Sequence, residues 1–205
     1  DFCYVCFKNN EQKILGEELM KIGIDVDGVL RDFCDGITKV VQENYPEYIK
    51  DDFTEINDWK LANNFNCTKE DLQQIYWYDY ADTIMGNSIP ISGAIEQMYN
   101  LFDWADENGH SVSCVTSQKP HARHHTLSWL GMYGLNFDTI YFRKGWQKWM
   151  VDVDYLVDDS PNNFENWVRG RGMQEGFILM NQPYNQHIKS NYRITELNQV
   201  KDIIV

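Results

Sequence analysis

Asp25 and Asp27 stand one residue apart at the end of an apolar run, Met20-Lys21-Ile22-Gly23-Ile24-Asp25-Val26-Asp27-Gly28-Val29, and glycine follows at once. Carboxylates that close repel each other, so such a pair exists to hold a cation or to act on an anion. Three further stretches carry residues of the same kind of chemistry: Val115-Thr116-Ser117, the basic run Arg143-Lys144-Gly145-Trp146-Gln147-Lys148, and Val157-Asp158-Asp159-Ser160. If the two acidic pairs converge, they make a hard, oxygen-rich site that suits Mg²⁺ better than zinc or copper. Thr116 and Ser117 offer hydroxyls and backbone N–H groups to phosphate oxygens, and a lysine neutralises developing charge. That is the equipment of phosphoryl transfer, where positioning and electrostatics do most of the work. One member of the first pair would attack phosphorus. Its neighbour would protonate the leaving oxygen and later activate water. Gly28 lets the backbone turn sharply beneath the phosphate.

These residues need elements to hold them. The pattern predicts short buried strands at Lys21–Ile24, Ser111–Val115, Thr139–Phe142, Tyr155–Val157 and Gly176–Met180. Helical periods cover Phe33–Tyr45, which ends before Pro46, and Ser92–Asn108, which Gly109 stops. Further helices are expected at Pro120–Leu130, from a Ser160 cap and Pro161 to about Val168, and at Glu196–Ile204. Strands alternating with helices predict an α/β fold: a Rossmann-like, mostly parallel sheet covered on both faces. Functional groups then gather at the carboxyl ends of the strands, where the four stretches lie. Residues 36–90 carry no strand signal. They read as a helical insertion after the first strand, with a helix start at Thr68, leaving 20–35 and 91–205 as the α/β core.

Composition narrows the class. The chain has 205 residues with 43% hydrophobic and 24% charged, which suits one globular domain with a sizeable core. A net charge of −13 disfavours polynucleotide partners but not a small anionic substrate, because a bound cation reverses the local field. No apolar run approaches the roughly 20 residues of a membrane span. The five cysteines, Cys3, Cys6, Cys34, Cys67 and Cys114, are odd in number and scattered, which points to reduced thiols and an intracellular, cytoplasmic setting. Residues 1–19 look like a dispensable appendage to a chain that begins at Met20, an expectation that a misfolded Met20 truncation would overturn. The cluster His121, His124 and His125 matches no strong metal spacing and reads as an exposed helix start.

The four stretches in this order resemble the motifs of the haloacid dehalogenase superfamily of aspartate-nucleophile phosphatases. The resemblance implies Asp25 as nucleophile and Mg²⁺ ligand, with Asp27 as acid/base and carbonyl ligand to the metal. It also implies phosphate binding by Thr116 and Ser117, and Asp158 and Asp159 completing the metal site, Asp159 directly. Lys144 and Lys148 both qualify as the motif lysine. "DVDGVLRDF" and "IPISGA" (Ile89–Ala94) resemble one branch more closely, the 5'(3')-deoxyribonucleotidases, and the spacing of Lys148 to Asp158 in that branch favours Lys148. Phe33 falls at the position of an aromatic that stacks on the substrate base, and Trp59 is the second stacking candidate. The insertion would be a substrate-selecting cap. By this resemblance the chain is a Mg²⁺-dependent phosphomonoesterase for nucleoside monophosphates, deoxyribonucleotides first, working through an aspartyl-phosphate, as a homodimer. The rivals are a phosphatase for another small phosphorylated metabolite and a catalytically silent nucleotide-binding module.

Overall fold

The computed structural model describes residues 19–204. The Cys3/Cys6 pair and the proposed appendage up to residue 18 lie outside them. Six strands form one all-parallel sheet: β1 (Lys21–Ile24), β2 (Ser111–Thr116), β3 (Thr139–Phe142), β4 (Tyr155–Asp158), β5 (Phe177–Met180) and β6 (Arg193–Ile194). Their order across the sheet is β3-β2-β1-β4-β5-β6. The central strands are therefore β1 and β4, and the chain leaves them toward opposite edges. That reversal opens a crevice at their carboxyl ends, the usual ligand position in such sheets.

The apolar runs are strands because they are buried on both faces; β1 from Ile22 and all of β5 are shut off from solvent. One face packs against α3 (Ala94–Glu107), α4 (Arg123–Met132) and α6 (Val200–Ile203), through Met98, Leu101, Trp129 and Val200. The other face packs against α5 (Pro161–Arg171) through Trp167. Ser160 caps α5 by accepting from the Asn163 N–H, and Pro161 occupies its first turn.

Between β1 and α3 the chain builds a separate layer. It contains α1 (Phe33–Asn44), α2 (Lys69–Gln74) and a core of Ile37, Val41, Leu72, Ile75 and Ile84. Thr68 starts α2 with a reciprocal cap: its side chain accepts from Asp71 N–H while the Asp71 carboxylate accepts from Thr68 N–H.

Several element boundaries depart from the sequence pattern. The helical period begun at α2 passes into two π-helical turns, Ile75–Asp79 and Asp82–Gly86, which the apolar spacing does not distinguish from α. The helix expected at Pro120 opens instead with a 3₁₀ turn, Pro120–Ala122, and the one expected at Glu196 with Leu197–Gln199. There the Gln199 side chain accepts from the backbone of Thr195 and Glu196 and tightens the turn. The pattern missed β6 because it has two residues and no apolar run.

Candidate active site

The ladder between the central strands sets the site. Ile24 pairs with Val157, which brings Asp25 beside Asp158. Asp25 continues the ladder, its N–H donating to Val157 C=O at 2.9 Å. One carboxylate oxygen of Asp25 accepts from the Val26 N–H at 2.7 Å; the other meets Lys148 Nζ at 2.6 Å. Lys148 lies equally close, 2.6 Å, to Asp158. Lys148 is 1% exposed, whereas Lys144 is exposed at the start of the Gly145–Met150 turn. Of the two candidate lysines, the structure therefore brings only Lys148 to the aspartates.

The two acidic residues at the end of β4 do different things. Asp158 is saturated: it accepts from Lys148, from the Ser160 N–H at 2.9 Å, and from Asn163 Nδ2 at 3.0 Å on both oxygens. Asp159 keeps one oxygen free of protein donors. Its other oxygen accepts from the buried Tyr184 hydroxyl. Ligand atoms of Asp25, Asp158 and Asp159 all lie within 4.8 Å of one another. Among the described residues this is the one such grouping, so the histidines form none. Instead, His125 pairs with Asp82 at 3.2 Å and His121 meets Trp77 C=O at 2.9 Å.

Burial dominates the electrostatics. It pushes the Asp25 carboxyl up to about 7, with Lys148 opposing and Asp158 adding to the rise. Burial and the Asp158 charge hold Asp159 well above the usual carboxylate range. Burial works against the Lys148 charge too, but Asp158 and Asp25 outweigh it and hold the ammonium above its ordinary value. Three crowded, dry carboxylates with one lysine between them are short of positive charge. An all-oxygen donor set of that kind fits a divalent metal.

Gly28 has φ +75°, and the turn it makes closes with Leu30 and Arg31 N–H groups donating to Val26 C=O, both at 2.8 Å. A β-carbon there would sit 2.6 Å from Asp159 Cγ and 2.8 Å from the Tyr184 oxygen, so glycine lets the acidic loops close on each other. The Thr116 and Ser117 hydroxyls are both buried without a partner, which leaves them free for an oxygen-rich ligand. Asp27 is not one of the three clustered carboxylates, and its side chain pairs with Arg31 at 2.7 Å.

A cavity of about 1020 Å³ opens over the site, with Thr116 and Asp158 buried behind its lining. Asp25, Asp27, Ser117, Lys148 and Asp159 form its floor, and Phe33, Trp59, Tyr76 and Trp77 form the wall from the layer between β1 and α3. Both sequence-chosen aromatics thus reach the same chamber: Phe33 sits edge-on to Tyr76 with centroids 5.6 Å apart, and Trp59 lies 5.6 Å from Tyr184. Lys119 is turned elsewhere, against the Trp77 and Tyr78 rings at 5.6 and 4.9 Å. Tyr184, Asn163 and Arg31 were not anticipated. Arg31 and Asn163 had faint signals, an opposite charge four residues from Asp27 and an amide three residues after a capping serine. Tyr184 had none.

The sequence matches the family model described as 5' nucleotidase, deoxy (pyrimidine), cytosolic type C protein over residues 19–205. No curated protein matches the chain by sequence. Solved structures share its fold at low identity. A structure described as a haloacid dehalogenase-like hydrolase from Bacteroides fragilis has a TM-score of 0.59 at 15% identity, covering 89% of this chain and 100% of its own. A HAD-hydrolase from Bacillus subtilis, solved bound to magnesium, has 0.58 at 16%, covering 92% and 99%. A HAD-superfamily hydrolase from Geobacter sulfurreducens has 0.58 at 12%, covering 91% and 97%.

Proposed function

Because the chain belongs to the 5' nucleotidase, deoxy (pyrimidine), cytosolic type C protein family, and is thereby a phosphoric monoester hydrolase of haloacid dehalogenase type, we propose that it releases phosphate from deoxyribonucleoside monophosphates through an aspartyl-phosphate on Asp25. The observation that carries this reading is Lys148, buried and 2.6 Å from both Asp25 and Asp158, at the floor of an aromatic-walled chamber.

Asp25 attacks phosphorus as the bond from phosphorus to the nucleoside oxygen breaks. Asp27 gives its proton to that departing oxygen. Water then attacks the phosphoryl group and loses a proton to Asp27. The bond from phosphorus to Asp25 breaks, inorganic phosphate leaves, and both aspartates return to their starting states. Lys148 and the Thr116 and Ser117 hydroxyls take up the charge on the phosphoryl oxygens. Asp25, Asp159, Asp158 behind them and the Asp27 carbonyl would hold Mg²⁺, which supplies further charge neutralisation and orients the phosphoryl group.

Residues 36–90 act as the cap in this reading. Phe33 and Trp59 offer flat faces to the base, each contact of this kind being worth about 1–3 kcal/mol. The chamber suits one nucleotide lying with its phosphate on the floor and its base against the wall. The test is phosphate release from 5'- and 3'-nucleoside monophosphates, deoxy and ribo, beside sugar phosphates, with Mg²⁺ and then with chelator. Selective Mg²⁺-dependent release from deoxyribonucleotides is expected, and Asp25→Asn should abolish it. Turnover of sugar phosphates alone would overturn the substrate reading, and an active Asp25→Asn protein the mechanism.

A further inference from the structure

The Asp27 carboxylate is gripped from two sides by groups with no role so far. Its Oδ1 accepts from Arg31 Nε at 2.8 Å and lies 2.7 Å from Nη2. Its Oδ2 accepts from Gln118 Nε2 at 2.8 Å. Arg31 is 0% exposed, an unusual place for a guanidinium, and Asp27 is its one anionic partner among the described residues. Its remaining donors go to Met85 C=O and, at 3.3 Å, to Thr126 Oγ1, with the Trp129 ring 5.4 Å from the guanidinium carbon. Gln118 is also buried, and its Oε1 has no partner. Burying a charge and an amide costs desolvation that their pairing with Asp27 offsets only in part, since Gln118 Oε1 stays unpaired.

We propose that Arg31 and Gln118 are positioning residues that fix the direction in which Asp27 delivers a proton, and so extend the reaction to poor leaving groups. The inference rests on Asp27 being the acid. Arg31 has donors only, so the oxygen it holds is not the one that gives up a proton. That leaves Oδ2. Gln118 carries both a donor and a free acceptor, so it can partner Oδ2 with or without a proton. An acid must sit within hydrogen-bond reach of the oxygen it protonates, and about 1 Å of misplacement can lower a rate by about 10²-fold. The fork of Arg31 and the Gln118 amide together remove the rotation that would allow such a misplacement.

The readout is the dependence of kcat/KM on the leaving group, measured with a deoxynucleoside 5'-monophosphate and with p-nitrophenyl phosphate. The alkyl oxygen of the first needs a proton to depart; the nitrophenolate of the second does not. Gln118→Met should lower kcat/KM for the nucleotide by about tenfold and for the aryl ester by less than about threefold, mostly in kcat. Arg31→Lys keeps the charge but not the fork, and should show the same asymmetry, at about ten- to a hundredfold on the nucleotide. Asp27→Asn serves as the reference and should show the largest asymmetry. Equal losses on both substrates in Gln118→Met, with Asp27→Asn asymmetric, would overturn the positioning role alone. Equal losses in Asp27→Asn would remove the acid itself, and the inference with it. If Arg31→Lys does not fold, Gln118→Met decides.

Discussion

Replacing Lys148 by methionine tests the centre of the site most directly. The side chain keeps its length and loses its charge, at a position 1% exposed and 2.6 Å from two carboxylates. At an effective dielectric of about 20, each such contact is roughly 6 kcal/mol of Coulomb attraction, much of it offset by the desolvation of the ions. Removing one partner of a buried ion pair therefore destabilises by about 3–5 kcal/mol. For a chain of this size that is a drop of roughly 6–20 °C in melting midpoint. The effect on turnover should be separate and larger, because the ammonium also faces the charge that builds on the phosphoryl group. Loss of a donor of this kind lowers kcat by about 10²–10³-fold. The assay is steady-state phosphate release beside a thermal melt, with Lys144→Met as the control that should change neither. A Lys148→Met protein with kcat within about threefold of the parent would refute the reasoning, since no buried cation so placed can be idle.

Gly28→Ala should abolish activity while the fold survives, because the added carbon would lie 2.6 Å from Asp159 Cγ and the φ of +75° is strained for alanine; a fully active variant would show that the acidic loops need not approach. Trp59→Ala and Phe33→Ala should raise KM for nucleotides by about ten- to a hundredfold and leave p-nitrophenyl phosphate turnover nearly unchanged; equal effects on both would make these rings structural. Without metal, stability should fall with rising pH. Asp25, raised to about 7, and Asp159, raised well above its ordinary value, keep their protons in the folded chain after the unfolded chain has lost them. The contribution of Asp25 is present below about pH 4 and is lost as pH rises through about 7, and that of Asp159 falls with rising pH in the same sense. Mg²⁺ should then raise the melting midpoint more at about pH 8 than at about pH 5, because it binds the ionised carboxylates; an equal shift at both would count against the acidic cluster as the metal site.

The parts of the site legible in the sequence were those that end strands. An apolar run followed by Asp25 or Asp158 carries both its element and its chemistry in adjacent letters. Lys148 was narrower to read, since Lys144 lies in the same basic run and only the way the 3₁₀ turn rolls buries one and exposes the other. Tyr184 was invisible because its role depends on a loop after β5 reaching back to Asp159. Arg31 stands four residues from Asp27, yet the rule for such spacings concerns helices, and the Gly28 turn brings the two together without one. The π turns at Ile75–Asp79 and Asp82–Gly86 preserve an apolar face much as an α-helix would, so periodicity could not separate them.

The pairing of β1 with β4 also bears on how the protein is made. Asp25 is synthesised before Asp158, Asp159 and Tyr184, which give it its surroundings; Asp158 follows it by 133 residues (158 − 25). At about 5–20 residues per second, the ribosome needs on the order of ten seconds to deliver them. During that interval the nascent β1 lacks its neighbour in the sheet's centre, and its apolar letters depend on β2 for cover. A chain broken just before β4 would contain the proposed nucleophile, the proposed acid and most of the aromatic wall, and still be unable to assemble the site. In the proposed mechanism, hydrolysis is thus withheld until β4 and the loop after β5 have been made.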